Sequence, residues 1–316
     1  MMEAGKTYKK SRLHSVFAEL CHNKLLYLMF VPLAVYFIIF SYIPMAGIIV
    51  AFKDFRYDKG IFRSSWSGLS NFQYFFKSGQ VWIVTRNTIL YNAAFLIFYT
   101  VFSILMAILI AEIASKWYKK LSQTLMFLPY FISWVVVSAF VYNLFNSNYG
   151  LINTLITAFG GNPINIYNEP KDWIVLLPVL YLWKWIGYGS VFYLAALMGI
   201  DRECYESADI DGANIFQRIW FVTIPMLSPT IITLLLLGVS RILRGEFDMF
   251  YQLIGNNGLL FNSTDIIDTL VFRSVIGSSD FPMASAAGLY QSVLCLIIIL
   301  TVNYLVRRKN PEYALF

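Results

Sequence analysis

The chain has 316 residues, of which 58% are hydrophobic and 13% are charged, and its formal net charge is +6. Soluble domains carry about 25% charged residues, so this composition excludes an ordinary globule that faces water on all sides. The basic residues lie beside apolar segments, where they set the orientation of a membrane protein, and they do not indicate nucleic acid as a partner.

The first 23 residues are predicted to form a basic tail on the cytoplasmic side. They contain Lys6, Lys9, Lys10 and Arg12, which resemble the start of a secretory signal. The apolar run that follows is too long for such a signal and lacks a clear small-residue cleavage site. We therefore predict that it stays in the membrane as the first span.

Apolar segments of membrane-crossing length recur along the chain. A hydrocarbon core about 30 Å thick needs about 20 residues of helix, and four uncharged segments meet this length: 25–52, 87–111, 121–146 and 281–306. Two further segments, 173–200 and 230–240, contain or precede charged residues. A bundle interior or a wet cavity accommodates such charges. The sequence therefore predicts an all-α integral membrane protein with six transmembrane helices in one domain, residues 24–316.

The connections between the predicted spans differ in amino-acid composition. The segment NFQYFFKSG (71–79) predicts a short interfacial helix because its aromatic residues suit the headgroup level. Residues 146–165 are punctuated by Gly and Asn and predict a surface or re-entrant hairpin. NNG at 256–258 marks a turn in the last outer loop.

Charge counts favour one orientation. With both termini cytoplasmic, the inner segments hold 13 basic residues and the outer segments hold 8. The positive-inside rule favours the side with more Lys and Arg. The loops at 53–86 and 251–280 are then predicted to face outward.

Several patterns that would indicate an enzyme are missing or incomplete. AGKT (4–7) lacks the upstream glycine of a phosphate-binding loop, so we predict no ATP site on this chain. His14 and His22 are the only histidines, and no metal cluster or catalytic set can be assembled from them. Cys21, Cys204 and Cys295 are scattered and predict free thiols.

Residues 201–228 form the longest inner connection and predict two short helices with a break. Asp201 and Asn214 are suitable N-caps, and Gly212 supplies the backbone freedom needed where the first helix ends. Phe216 begins an apolar face at helical spacing. Pro225 and Pro229 are predicted to stop the second helix and redirect the chain into the bilayer.

The charge of this connection argues against a simple lipid-facing loop. Such a helix favours Lys and Arg on its polar face, whereas the acidic residues here are Asp201, Glu203, Glu206, Asp209 and Asp211. An acidic surface of this kind suits a basic protein partner.

The same residues resemble the EAA coupling motif of importer permeases in the ATP-binding-cassette (ABC) superfamily. ESADIDGA (206–213) followed by VTIP (222–225) departs from the motif at Ser207, Val222 and Ile224. The positions that match it are Glu206, Ala208, Asp211, Gly212, Ala213 and Pro225.

A second resemblance narrows the family. Residues 244–272 and 286–308, together with NTILYN (87–92) and YGLINTLI (149–156), are similar to carbohydrate permeases of the polysaccharide and oligosaccharide uptake group. This resemblance covers nearly the whole chain. It implies the type I ABC importer permease fold, a bacterial plasma-membrane location and import of oligosaccharides, acidic ones included, by alternating access.

The resemblance also implies partners and residue roles. The partners would be a second, usually different permease, two cytoplasmic ATPases that carry ATP and Mg, and an extracellular or periplasmic solute-binding protein. Glu206 would pair with a basic ATPase residue, Ala208 would permit close approach, and Gly212 would set the angle between the two helices. No cofactor is expected on this chain itself.

Two functional alternatives remain. An ion-coupled secondary transporter of sugars would use Lys184, Arg241, Glu246 and Asp248 as a relay or ion site. An assembly or signalling subunit would transport nothing. ATPases that copurify with the chain, and growth on an oligosaccharide that is lost on deletion, would distinguish these classes.

The charged and aromatic residues near the fourth and fifth spans are candidates for a substrate path. Arginine binds carboxylates in bidentate fashion, and aromatic rings stack on sugar faces. Internal salt bridges of Arg241 or Arg244 with Glu246 or Asp248 are an equally simple explanation of the charges. The candidate residues are Lys184, Trp185, Tyr188, Arg241, Arg244, Glu246, Asp248 and Tyr251.

Overall fold

The computed structural model describes residues 22–309 and 311–314, and most of them are helical. The predicted basic tail up to residue 21, with its AGKT segment, lies outside the described residues. The helices, in chain order, are α1 (Lys24–Phe52), α2 (Gly60–Arg63), α3 (Ser70–Lys77), α4 (Gln80–Ala111), α5 (Lys116–Phe131), α6 (Trp134–Phe145), α7 (Leu151–Ala158), α8 (Pro170–Met198), α9 (Arg202–Ile210), α10 (Ile215–Val239), α11 (Phe247–Ile254), α12 (Phe261–Thr264), α13 (Ile267–Ile276) and α14 (Phe281–Lys309). A 3-10 turn, Pro311–Tyr313, follows α14.

Within the described residues, five helices are long and apolar enough to cross a membrane: α1, α4, α8, α10 and α14. The predicted third span is a bent pair, α5 and α6, with an angle of 91° at the break. Counting that pair as one span gives six. The predicted helical membrane architecture is therefore confirmed, and its third span is broken where the sequence suggested one continuous helix.

The bend between α5 and α6 follows from the local sequence. Pro129 lies in a 3-10 turn, Leu128–Phe131, that ends α5, and proline disfavours the regular helical hydrogen-bond ladder. Ser133 then starts α6 as an N-cap, because its hydroxyl accepts a hydrogen bond from the N–H of Val136 at 3.4 Å.

Helix α10 corrects the prediction that prolines end the second of the two helices in 201–228. It runs from Ile215 through Pro225 and Pro229 to Val239. A π turn at Ile219–Thr223 precedes Pro225, and the N–H of Ile224 bonds to the carbonyl of Ile219, five residues back. Because the ladder has already shifted when Pro225 enters, its missing N–H does not break the helix.

The charged residues after the fifth span also lie differently from the prediction. Helix α10 ends at Val239, and residues 240–246 form turns before α11 begins at Phe247. Arg241, Arg244 and Glu246 are therefore on irregular backbone and do not continue a helix. Asp248 lies in the first turn of α11.

The predicted short elements outside the spans are present. Helix α3 covers most of 71–79, and α7 lies inside the predicted hairpin of 146–165. A two-stranded antiparallel ladder joins β1 (Lys53–Asp54) to β2 (Ser65–Trp66), with Lys53 opposite Trp66. Residues 255–260 form turns around the NNG segment.

The bundle is organised around α4 and α8. One buried cluster, which includes Ile104, Tyr193 and Leu227, joins α4, α8 and α10 near residues 201–228. A second cluster, which includes Val81 and Ile267, lies at the opposite end of α4. Helix α1 is different, because only Val50 and Ala51 of its residues are buried.

Candidate functional site

The segment between α8 and α10 has the predicted two-helix geometry. Asp201 caps α9 by accepting a hydrogen bond from the N–H of Glu203 at 3.2 Å. Gly212 has a φ of +77°, a conformation that residues with a Cβ adopt rarely. Asn214 and Gln217 then form a capping box, each accepting a hydrogen bond from the other's backbone N–H, at 2.9 and 2.8 Å. The predicted caps and the predicted glycine turn are confirmed.

Polar contacts attach this segment to the spans. The Arg218 guanidinium lies 2.8 Å from the Asp209 carboxylate and 3.8 Å from that of Glu112, at the end of α4. The hydroxyls of Tyr205 and Thr223 are hydrogen-bonded at 3.1 Å. These contacts join α9, α4 and α10.

The outer surface of the segment combines acidic and apolar groups. Glu206 and Asp211 are exposed, and between them Ile210 is 86% exposed. Phe216, at the start of α10, is 78% exposed. Ala208 and Ala213 are half-buried, and Pro225 is exposed. Large apolar side chains beside carboxylates are typical of a protein interface.

Sequence reasoning did not single out Ile210. Its apolar side chain follows Asp209 and precedes the Asp211-Gly212 turn, where an exposed helix end would ordinarily carry a polar residue. An apolar residue at this exposed helix end was therefore the sequence signal for a contact surface.

A cavity of about 520 Å³ lies between α4, α8, the end of α10 and the irregular segment 240–246. Its volume is within the usual range for small-molecule sites. Five of the eight candidate substrate-path residues line it, namely Trp185, Tyr188, Arg241, Arg244 and Glu246. The sequence did not predict that Tyr99, Tyr181, Phe192 and Tyr193 join them.

Side chains from several helices hold the irregular segment beside this cavity. Asn92 donates to the Ile242 carbonyl at 2.9 Å, and Gln291 donates to the Leu243 carbonyl at 2.5 Å. The N–H of Gly245 donates to the Asp268 carboxylate at 2.8 Å. Non-helical backbone at membrane depth needs such partners, and in transporters broken helices of this kind mark binding sites.

The charged groups of the cavity do not pair with one another. In the part of the chain that the structure describes, no ion pair joins Arg241 or Arg244 to Glu246 or Asp248. Both arginines are exposed. Glu246 instead accepts a hydrogen bond from Trp134 Nε1 at 3.1 Å. The salt-bridge explanation of these charges is therefore wrong for this conformation.

Two further polar atoms belong to residues that line the cavity. Trp185 Nε1 and Tyr193 Oη are buried, and their nearest polar partners, Glu246 and Thr100, offer them only hydrogen bonds of poor geometry. Buried donors ordinarily find a partner. A hydroxyl-rich ligand would supply acceptors for both.

The remaining candidates lie away from the cavity lining. Lys184 is 6% exposed, and its ammonium group donates to backbone carbonyls at the α5–α6 break. Tyr251 stacks on Phe247, with ring centroids 5.4 Å apart. Asp248 is exposed. The structure thus divides the candidate set into five residues that line the cavity and three, including Lys184, that do not.

Metal chemistry has no candidate site in the described residues. No group of three or more His, Cys, Asp or Glu among them could hold a metal ion.

Comparison with known proteins places this geometry in a family. Residues 100–311 match the model of "Binding-protein-dependent transport system inner membrane component". The polygalacturonan/rhamnogalacturonan transport system permease protein YteP of Bacillus subtilis (strain 168) is 33% identical over 96% of this chain and 94% of its own length.

Two solved structures share the fold. One is from a bacterial ABC transporter involved in the import of the acidic polysaccharide alginate; its TM-score is 0.85 at 31% identity, over 94% of this chain and 99% of that chain. The other is from a bacterial alginate ABC transporter in complex with an alginate pentasaccharide-bound periplasmic protein; its TM-score is 0.83 at 32% identity, over 92% of this chain and 97% of that chain.

Proposed function

The chain belongs to the family of binding-protein-dependent transport system inner membrane components, and on that premise we propose that it forms part of the membrane path of an ATP-driven oligosaccharide importer. It is a multi-pass permease subunit of the bacterial plasma membrane and not an enzyme. The observation that carries the proposal is the cavity between α4, α8 and the irregular segment 240–246, with its aromatic walls and its two arginines that form no ion pair with another described residue. The relatives give no support to the ion-coupled alternative.

The substrate class follows from the lining of the cavity. Arg241 and Arg244 form no ion pair with another described residue, and a guanidinium group suits a carboxylate. Trp185 and Tyr188 offer ring faces for sugars. We therefore assign an acidic, uronate-bearing oligosaccharide to this cavity, in keeping with the polygalacturonan and alginate systems named above.

The coupling role belongs to residues 201–228. Of the two cytoplasmic ATPases with bound ATP and Mg, one would bind this segment, with a basic ATPase residue at Glu206 and an apolar groove for Ile210 and Phe216. Asp211, Gly212 and Ala213 would form the turn between the helices, and the half-buried Ala208 would let the ATPase surface approach closely. This assignment requires both termini and residues 116–120 to be cytoplasmic.

The transport cycle then alternates access to the cavity. ATP-driven closure of the ATPases would move α9 and, through Arg218, the ends of α4 and α10. The cavity would open outward and receive the sugar from a solute-binding protein, and hydrolysis would restore the inward state. A second permease of similar fold would complete the path.

The test is uptake of labelled oligogalacturonate and of a neutral oligosaccharide of equal length by the complete transporter in proteoliposomes. Arg241→Gln with Arg244→Gln should raise the KM for the acidic sugar by about tenfold or more, since charged hydrogen bonds contribute about 1.5–3 kcal/mol each. Uptake of the acidic sugar should require ATP and should survive a protonophore.

Lys171→Gln, on the exposed first turn of α8, is the matched control for loss of positive charge. Equal loss of acidic-sugar uptake in this control would remove the assignment of the cavity arginines. Uptake that persists without ATP would contradict the importer mechanism.

A further inference from the structure

Lys184 is a buried cation in the middle of α8. Its side chain is 6% exposed, and it does not line the 520 Å³ cavity. A charge in such a place is retained only when other groups compensate it. The nature of its partners therefore indicates what it does.

Those partners are the backbone carbonyls of the α5–α6 break. Lys184 Nζ donates to the carbonyls of Pro129 at 3.4 Å and Tyr130 at 3.1 Å, and also to that of Ile132. An ammonium group has three donors, so all of them are used. The carbonyl of Pro129 also accepts a hydrogen bond from the N–H of Ile132 at 3.1 Å. The last carbonyls of a helix lack the regular helical partner, and for Tyr130 and Ile132 the lysine supplies a donor where the chain bends by 91°.

The same cation lies against the first residue of α6. Lys184 Nζ is 5.3 Å from the ring centroid of Trp134, within the range of a cation–π interaction. The indole nitrogen of the same tryptophan has a second charged partner, because Trp134 Nε1 donates a hydrogen bond to Glu246 Oε1 at 3.1 Å. Trp134 itself is buried.

Glu246 connects this network to the cavity. It lines the cavity wall at the end of the irregular segment 240–246. Because Trp134 contacts both the cation and the carboxylate, the two broken regions, 128–133 and 240–246, are joined through one side chain. Movement of either break would move the other.

We propose that Lys184 is a positioning residue that fixes the α5–α6 break and, through Trp134, holds the Glu246 carboxylate in place on the cavity wall. The two broken helices then act as one rigid wall of the binding cavity. This inference depends on the proposed function for the meaning of the cavity, while the bonding network itself does not.

The first test is backbone hydrogen–deuterium exchange of the purified transporter. Lys184→Met keeps the length of the side chain and removes its donors, and we expect faster exchange in peptides that cover 128–134. Lys171→Met, on the same helix but exposed, should leave those peptides unchanged. Unchanged exchange in Lys184→Met would overturn the proposal, whether or not the wild-type protein imports an oligosaccharide.

The second test measures oligogalacturonate-stimulated ATP hydrolysis by the complete transporter. Lys184→Met should raise the KM by about tenfold with little change in kcat, the pattern of lost binding without lost chemistry. Trp134→Phe removes only the indole donor and should raise the KM less. The double variant should resemble Lys184→Met alone, because coupled residues are not additive.

Additive effects, or a fall in kcat at unchanged KM, would contradict the positioning role. If Lys184→Met does not assemble, a cycle of Trp134→Phe and Glu246→Gln tests the link between Trp134 and Glu246, and additive effects in that cycle would contradict the proposal. A wild-type transporter that takes up no oligosaccharide would refute the proposed function, and the exchange experiment would still test the network.

Discussion

The guanidinium group of Arg218 joins two parts of the molecule that the proposed cycle must move together. It bonds to Asp209 on α9 and lies near Glu112 at the end of α4. Surface ion pairs contribute little stability, so we infer that this contact serves to move α9 and α4 together in the proposed cycle. An arginine that only stabilised the fold could be replaced by an apolar side chain of similar length at small cost.

We therefore predict that Arg218→Met leaves membrane insertion and ATPase association intact but reduces coupling. Sugar uptake per ATP hydrolysed should fall several-fold because α9 moves without carrying α4. The measurement is the ratio of uptake to hydrolysis in proteoliposomes. Lys171→Met, on the exposed first turn of α8, is the control, and an unchanged ratio in Arg218→Met would contradict the proposed coupling of α9 to α4.

Glu206 and Gly212 are expected to act through the ATPase and not through the sugar. Removing one partner of a buried interfacial charge pair costs about 2–5 kcal/mol, so Glu206→Ala should weaken copurification of the ATPase. Gly212 has a φ of +77°, a region that a β-branched residue resists, so Gly212→Val should act similarly.

The glycine effect has a matched control in the outer loop. Gly258 has open space at its Cβ position, as Gly212 does, but lacks the positive φ. Gly258→Val should therefore leave ATPase association and uptake unchanged. If Glu206→Ala retains full uptake and a normal amount of bound ATPase, residues 201–228 do not have the coupling role.

At the scale of elements, close packing between α8 and its neighbours sets the shape of the cavity. A Cβ at Gly187 would overlap the backbone carbonyl of Met126 in α5, and one at Gly189 would overlap Ser103 and Tyr99. Small residues allow membrane helices to approach in this way. Backbone cannot shift as a flexible side chain does, so Gly187 is the more restrictive position.

Gly187→Ala is accordingly predicted to lower thermal stability in detergent, since overpacking costs about 1–3 kcal/mol. Gly288→Ala, in α14, is the matched control because nothing lies within 4 Å of its Cβ position. The measurement is the midpoint of thermal aggregation for both variants. Equal midpoints would mean that α5 and α8 move apart to accommodate the added methyl group without loss of stability.

The sequence predicted elements well where the signal was local. Asp201, Gly212 and Asn214 act through their own neighbours, and their caps and turn were predicted correctly. The break at 240–246 was missed because it depends on distant partners. Residues 240–246 leave the helix where Asn92, Gln291 and Asp268 bond to the backbone, and no pattern within 230–248 reveals those partners.

Proline was a misleading signal for a related reason. Pro225 ends a regular helix only when the ladder before it is regular, and the π turn at Ile219–Thr223 removes that condition. Similarly, Lys184 was grouped with the cavity arginines by its charge alone. Its contacts with carbonyls fifty-odd residues earlier in the chain became visible only in three dimensions.

At the scale of the whole molecule, α1 presents a long apolar surface that the rest of the described chain does not cover. Residues from Lys24 to Met45 pack against nothing extensive in the described chain, and only Val50 and Ala51 of α1 are buried. Lipid would cover this apolar surface. A second permease would satisfy it as well, and would also enclose the exposed side of the cavity with Arg241 and Arg244.

We predict that the chain functions only in a heterodimer with a permease of similar fold. One cavity wall and one coupling segment are present in each chain, and two ATPases would need two such segments. The chain purified alone, in nanodiscs, should bind no ATPase dimer stably and import no sugar, whereas coexpression with the second permease should restore both. Cross-links from cysteines introduced along 25–45 should then capture the partner permease in preference to a second copy of this chain. Sugar uptake by the isolated chain, or capture only of a second copy, would mean that the cavity is completed in another way.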